Sequence, residues 1–111
     1  MKLSISKKQY NVGEISKKIN EIDLSFIKEK FSINLFGSVA KGTNDEYSDI
    51  DILIIWQNKS NLIPFYEKTI ACLISQKFND TKIDVTSIIS TNRKSKFDKR
   101  VLSYAINICK N

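Results

Sequence analysis

Short apolar blocks alternate along the chain with polar stretches, and the spacing inside each block predicts its secondary structure. Apolar residues that recur every three or four positions predict helices over 11–26, 62–78 and 97–108. The first helix is predicted to begin at Asn11, because Glu14 follows three residues later in the manner of a capping box. Compact or alternating apolar runs predict strands over 32–36, 49–56 and 82–86.

The run 49–56 is apolar on both faces except at its start, which is typical of a central strand that is covered on both sides. Together the elements predict an α/β (α+β) fold class, in which a small mixed sheet of three to four strands is flanked by helices. With 111 residues, 41% of them hydrophobic, the chain has the size of a single domain, 1–111. No apolar run approaches the roughly 20 residues of a transmembrane helix, and no signal peptide is recognisable, so a cytoplasmic protein is expected.

Composition narrows the chemistry that the chain can perform. It lacks histidine, which excludes Ser-His-Asp and Cys-His catalysis and every zinc site that contains histidine. Cys72 and Cys109 each stand in an apolar, helix-like stretch, so both are predicted to be buried free thiols. The net charge of +6 favours phosphate-rich ligands or an acidic partner, with nucleic acid less favoured, and most lysines are interpreted as solvated helix faces.

Two short motifs at the ends of neighbouring predicted strands indicate a metal–phosphate site. Gly37 and Ser38 leave one strand, and Asp49 and Asp51 open the next, with ten residues between Ser38 and Asp49. Each motif alone is weak evidence, because a Gly-Ser pair commonly forms a turn and two aspartates commonly end a strand. Residues i and i+2 of a strand point to the same face about 6.6 Å apart, so both carboxylates can reach one Mg²⁺ ion or a pair of ions.

A third acid, Asp84, lies inside the short β-branched run of the last predicted strand. If that strand neighbours the one that carries Asp49 and Asp51, about 4.8 Å separates the two strands, and the three acids can share a two-metal site. The alternative is that Asp84 faces water on an edge strand.

The turn after the first predicted strand has the features of a phosphate-binding loop. Gly37 would let the backbone approach a phosphate closely, while Ser38 and the following amides would donate hydrogen bonds to it. Lys41 fits a phosphate contact and a surface position equally well, and Gly42 is predicted to end a helical turn.

The run 37–42 followed by 48–51 resembles the Gly-Ser, spacer, Asp-x-Asp signature of the minimal nucleotidyltransferases, a family of the DNA polymerase β superfamily. The resemblance covers about residues 33–86, and it departs at Lys41, where arginine is common and would add bidentate phosphate geometry. It implies ATP as substrate and two Mg²⁺ ions, one held by Asp49 and Asp51 and one by all three acids. Asp84 would help to remove the proton of the acceptor hydroxyl, and pyrophosphate would leave.

Small members of this family act as antitoxins that add AMP to a tyrosine of an all-helical HEPN ribonuclease toxin, and the resemblance favours this function. In that case the partner protein would complete the cleft. One alternative is a transferase for a small molecule such as an aminoglycoside. Another is a non-catalytic module that binds nucleotide or silences its partner by contact. Nucleotide preference and oligomeric state stay open at this stage.

Overall fold

The computed structural model describes residues 10–44, 49–78, 81–90 and 105–110, which form a mixed sheet with helices. The strands are β1 (Phe31–Phe36), β2 (Ile50–Trp56), β3 (Ile83–Ile89) and β4 (Ile106–Lys110), in the order β3-β2-β1-β4. Strand β2 runs antiparallel to β1 and parallel to β3, while β4 runs antiparallel to β1. The helices are α1 (Val12–Asn20), α2 (Gly37–Lys41) and α3 (Ile63–Ser75). The predicted fold class is confirmed, and β2 is a central strand.

One face of the sheet forms the hydrophobic core together with α1 and α3. Ile52 and Ile54 of β2 are fully buried in this core, and so are residues of one stripe on each long helix, such as Ile15 in α1 and Ile70 in α3. Packing of these apolar stripes, more than helix propensity, stabilises helices of nine and 13 residues. Within the described ranges, no helix has the length and apolar composition to cross a bilayer.

Helix α1 begins as predicted but ends earlier. The Asn11 side chain accepts a hydrogen bond of 2.8 Å from the Glu14 backbone N–H, so the predicted N-cap is confirmed. The helix stops at Asn20, whereas the apolar spacing predicted that it continues to Phe26, whose exposed fraction is 42%. Beyond the helix, the Asp23 carboxylate accepts a hydrogen bond of 2.9 Å from the Ser25 backbone N–H. Such a local hydrogen bond competes with the backbone hydrogen bonds that would continue the helix.

The prediction of a helix through residue 108 is wrong where the structure describes that segment. Residues Ile106–Lys110 form strand β4, which pairs with β1 around a bulge between Ile33 and Asn34. The alternation of Ile106, Asn107 and Ile108 suits a strand, and the otherwise unpaired edge of β1 provides its hydrogen-bond partners. The remainder of the predicted helix, residues 97–104, lies outside the described residues.

The two cysteines differ in their environment. Cys72 is exposed, so the prediction of a buried thiol is wrong for this residue. It follows Ile70 by two positions on α3 and therefore lies away from the buried stripe of that helix. Cys109 is half-buried in β4, and burial raises the pKa of its thiol above the ordinary 9.0. Both are free thiols.

Candidate active site

The sheet brings the predicted acidic residues to one end of β2 and β3. Asp51 and Asp84 are directly opposite each other in the parallel β2–β3 pair, so their side chains project from the same face. Asp49 precedes Asp51 by two positions, immediately before β2 begins. We term the sheet face that carries Asp51 and Asp84 the acid face. It lies opposite the face covered by α1 and α3, because Asp51 alternates with the core residues Ile50 and Ile52.

The charges of two neighbouring carboxylates act on Asp51. The pKa of Asp51 is raised above its ordinary 3.8, chiefly because burial removes water from the carboxylate. The charges of Asp84 and Asp49 raise it further, and the charge of Lys82 opposes them. Asp51 is thus a half-buried carboxylate under the influence of two other negative charges, an arrangement that a bound cation would stabilise.

Gly37 shapes the site through its lack of a side chain. It follows Phe36, which is the register partner of Asp51 in the β1–β2 pair, so the turn begins beside this carboxylate. The φ angle of Gly37 is +70°, in the left-handed region that favours glycine. A Cβ atom at this position would lie 3.0 Å from the Asp51 Cγ and would overlap a carboxylate oxygen. The sequence indicated a close approach of Gly37 to phosphate, and the structure shows a close approach to Asp51.

The short helix α2 positions Ser38 and Lys41 next to this glycine. Val39 is buried and anchors the helix between β1 and β2, while Ser38 is half-buried and Lys41 is exposed. Gly42 ends the helix with a φ angle of +74°, and the Ser38 carbonyl accepts a 2.9 Å bond from the Thr43 N–H. The predicted role of Gly42 as a helix terminator is confirmed.

The donor atoms at this edge suit a hard cation. Carboxylate oxygens are the ligands that Mg²⁺ prefers, and Asp51 already experiences two neighbouring negative charges. Among the residues that the structure describes, no three His, Cys, Asp or Glu side chains are arranged as a ready-made metal site. The donor type of the acids fits Mg²⁺, although their side chains are not arranged around an ion in this part of the chain.

Lys82 is a residue of this edge that the sequence-based interpretation missed. Its Nζ atom lies 3.8 Å from Asp84 Oδ1, and its backbone carbonyl accepts a 3.0 Å bond from the Ile50 N–H at the start of β2. The available signal was its position two residues before Asp84, on the same side of the strand.

Solved structures with the same fold include a protein from Sulfolobus solfataricus named as a nucleotidyltransferase. It is 21% identical, the match covers 88% of this chain and 79% of that chain, and the TM-score is 0.56. A toxin–antitoxin structure with AMP-PNP is also 21% identical over 85% of this chain and 72% of that one, with a TM-score of 0.59. A structure of a tri-AMPylated Shewanella oneidensis HEPN toxin in complex with an MNT antitoxin is 17% identical, and the match covers 87% of this chain and 71% of that chain. Its TM-score is 0.55.

At these identities the likeness shows a shared fold. No curated protein sequence matches this chain. The model of the nucleotidyltransferase domain matches residues 12–108, a range that includes the Gly37 turn, the whole sheet edge with its three acids and most of β4. The chain therefore belongs to the nucleotidyltransferase domain family.

Proposed function

We propose that this protein transfers AMP from ATP to a hydroxyl group, and that Asp49, Asp51 and Asp84 are its catalytic acids. The observation that carries the proposal is the direct pairing of Asp51 with Asp84 beside the Gly37 turn. Membership of the nucleotidyltransferase domain family supports the reaction class.

The same three carboxylates would hold Mg²⁺, which supplies charge neutralisation for the triphosphate when it is bound. Ser38 and Lys41, at the adjacent end of α2, are proposed to bind the phosphates. Asp51 has a more restricted position than the partly exposed Asp84, because Gly37 and Phe36 lie directly beside Asp51. Restricted carboxylates hold a reacting group in place, and positioning of this kind supplies much of the rate enhancement in such transfers.

Asp84 is proposed to take the proton of the acceptor hydroxyl. Its side chain is 46% exposed, so an acceptor on a second molecule can reach it. The acceptor oxygen forms a bond to the α-phosphorus, and the bond from this phosphorus to the bridging oxygen of the β-phosphate breaks. Pyrophosphate carries that electron pair away, and the hydroxyl proton passes to the carboxylate.

The proposed acceptor is a tyrosine of a HEPN toxin partner. Support comes from fold neighbours whose structures are a toxin–antitoxin complex with AMP-PNP and an AMPylated HEPN toxin with its MNT antitoxin. The exposure of Asp84 on the acid face suits a macromolecular acceptor that closes over the sheet edge.

Labelling of the partner tests the proposal. The purified protein is incubated with Mg²⁺, α-labelled ATP and a HEPN protein encoded beside it, and the modified residue is located by mass spectrometry. We expect AMP on tyrosine, and a loss of at least about a hundredfold in rate for Asp51→Asn and Asp84→Asn. Asp23→Asn, the same change at an exposed loop position, is the matched control and should label at the wild-type rate.

Unchanged labelling in both site variants would refute the assignment of the acids. Silencing of the partner without any labelling, and equally by Asp51→Asn, would instead identify an antitoxin that acts by contact.

A further inference from the structure

Lys82 places a positive charge at the acidic edge of the sheet. The Lys82 backbone carbonyl accepts a hydrogen bond of 3.0 Å from the Ile50 N–H, which holds the Lys82 backbone beside the start of β2. From this position its Nζ atom reaches to 3.8 Å from Asp84 Oδ1, and its charge also acts on Asp51. A single ammonium group thus offsets part of the negative charge of two proposed metal ligands.

Lys82 can leave its ion pair with Asp84 and form one with a different anion. The two side chains are 69% and 46% exposed, so water competes with the ion pair, and exposed pairs of this kind are weak. Lysine carries its charge on a flexible stem of four carbons, which allows the ammonium to swing to a new anion without backbone movement. The ion pair is therefore weak enough for another cation to displace Lys82 from Asp84.

We propose that Lys82 is a positioning residue that occupies the place of a divalent cation beside Asp84 in the nucleotide-free protein. A metal ion must displace this ammonium, and a nucleoside triphosphate that arrives with the metal offers the displaced group a new anionic partner. Lys82 thereby couples metal binding to nucleotide binding. This inference rests on the proposed function, because it takes Asp84 as a metal ligand and a nucleoside triphosphate as the substrate.

The test measures binding of Mn²⁺ to the full chain, with and without a non-hydrolysable ATP analogue. We expect Lys82→Gln to bind Mn²⁺ about two- to fivefold more tightly than wild type when nucleotide is absent, as loss of a weak competing ion pair implies. The factor by which the analogue tightens Mn²⁺ binding should fall correspondingly. Lys82→Arg keeps the charge and should restore most of that factor.

Lys77→Gln is the matched control. Lys77 forms an ion pair of similar length, 3.7 Å to Glu21, the C-cap residue of α1, away from the acidic edge. Both substitutions remove one positive charge and one partly exposed ion pair, so a general effect of net charge would appear equally in both. Thermal unfolding establishes that each variant is folded.

The outcomes separate this inference from the proposed function. Equal Mn²⁺ affinities of Lys82→Gln and Lys77→Gln in the absence of nucleotide, while Asp51→Asn loses binding, would overturn the role of Lys82 and leave the metal site intact. Failure of the wild-type protein to bind Mn²⁺, or binding that Asp51→Asn does not change, would overturn both.

Discussion

Substitution of Gly37 by alanine tests how the turn and the acids are joined. At φ +70° an L-residue adopts the left-handed region, which costs about 1–2 kcal/mol. The new Cβ would overlap the Asp51 carboxylate, which must then leave its rotamer at an additional cost of about 0.5–1.5 kcal/mol. We expect Gly37→Ala to be folded, less stable, and severely impaired in metal binding and nucleotidyl transfer.

Gly42→Ala is the control that isolates the cost of the left-handed backbone conformation. Gly42 has a φ of +74°, and nothing lies within 4 Å of a Cβ built there, so only the cost of about 1–2 kcal/mol applies. Urea unfolding should show Gly37→Ala to be less stable than Gly42→Ala by about 0.5–1.5 kcal/mol. Mn²⁺ binding should be weakened in the first variant and retained in the second.

Equal stabilities of the two alanine variants, together with equal metal affinities, would contradict the reasoning. That result would show that the Asp51 carboxylate moves away from residue 37 at no cost, and that the glycine does not determine its position.

Three further predictions concern other parts of the molecule. Burial and neighbouring acids raise the pKa of Asp51, so ionisation of this side chain destabilises the folded state. We therefore expect Asp51→Asn to have a higher free energy of unfolding than wild type at pH 7. The difference should shrink as the pH falls towards 3.8, because the wild-type carboxylate becomes protonated. A difference independent of pH would contradict this. Asn11→Ala removes the cap on Glu14 N–H and should cost about 1 kcal/mol, seen as a melting temperature lower by about 4–8 °C, with transfer unchanged. A maleimide should modify exposed Cys72 faster than Cys109, whose thiol pKa is raised, and Cys72→Ser should abolish the fast phase.

Local patterns in the sequence were sufficient to propose the three acids and to predict that two of them face the same side of a strand. The spacing of Asp49 and Asp51 is a property of one strand, so the period of two along a strand predicts that both side chains face the same way. The position of Asp84 opposite Asp51 depends on which strands pair and in which register. Strand pairing is non-local information, so the sequence predicted a site shared by the three acids only if the two strands were neighbours.

Strand β4 shows where local patterns mislead. Ala105, Ile106, Asn107, Ile108 and Cys109 form a run too short to distinguish a period of two from a period of 3.6. Its strand conformation follows from pairing with β1, which is distant in sequence. In the same way, the conformational freedom of Gly37 was foreseeable, whereas its contact with Asp51 required the β1–β2 register.

Asp84 belongs to β3, which is the outermost strand on its side of the described sheet, whereas Asp51 belongs to the interior strand β2. Border strands open more readily than interior ones, and such openings are far less costly than global unfolding. We expect backbone amides of β3 to exchange with solvent deuterium sooner than those of β2. Each opening would carry Asp84 away from Asp49 and Asp51, so fraying of this one strand would separate the proposed catalytic acids.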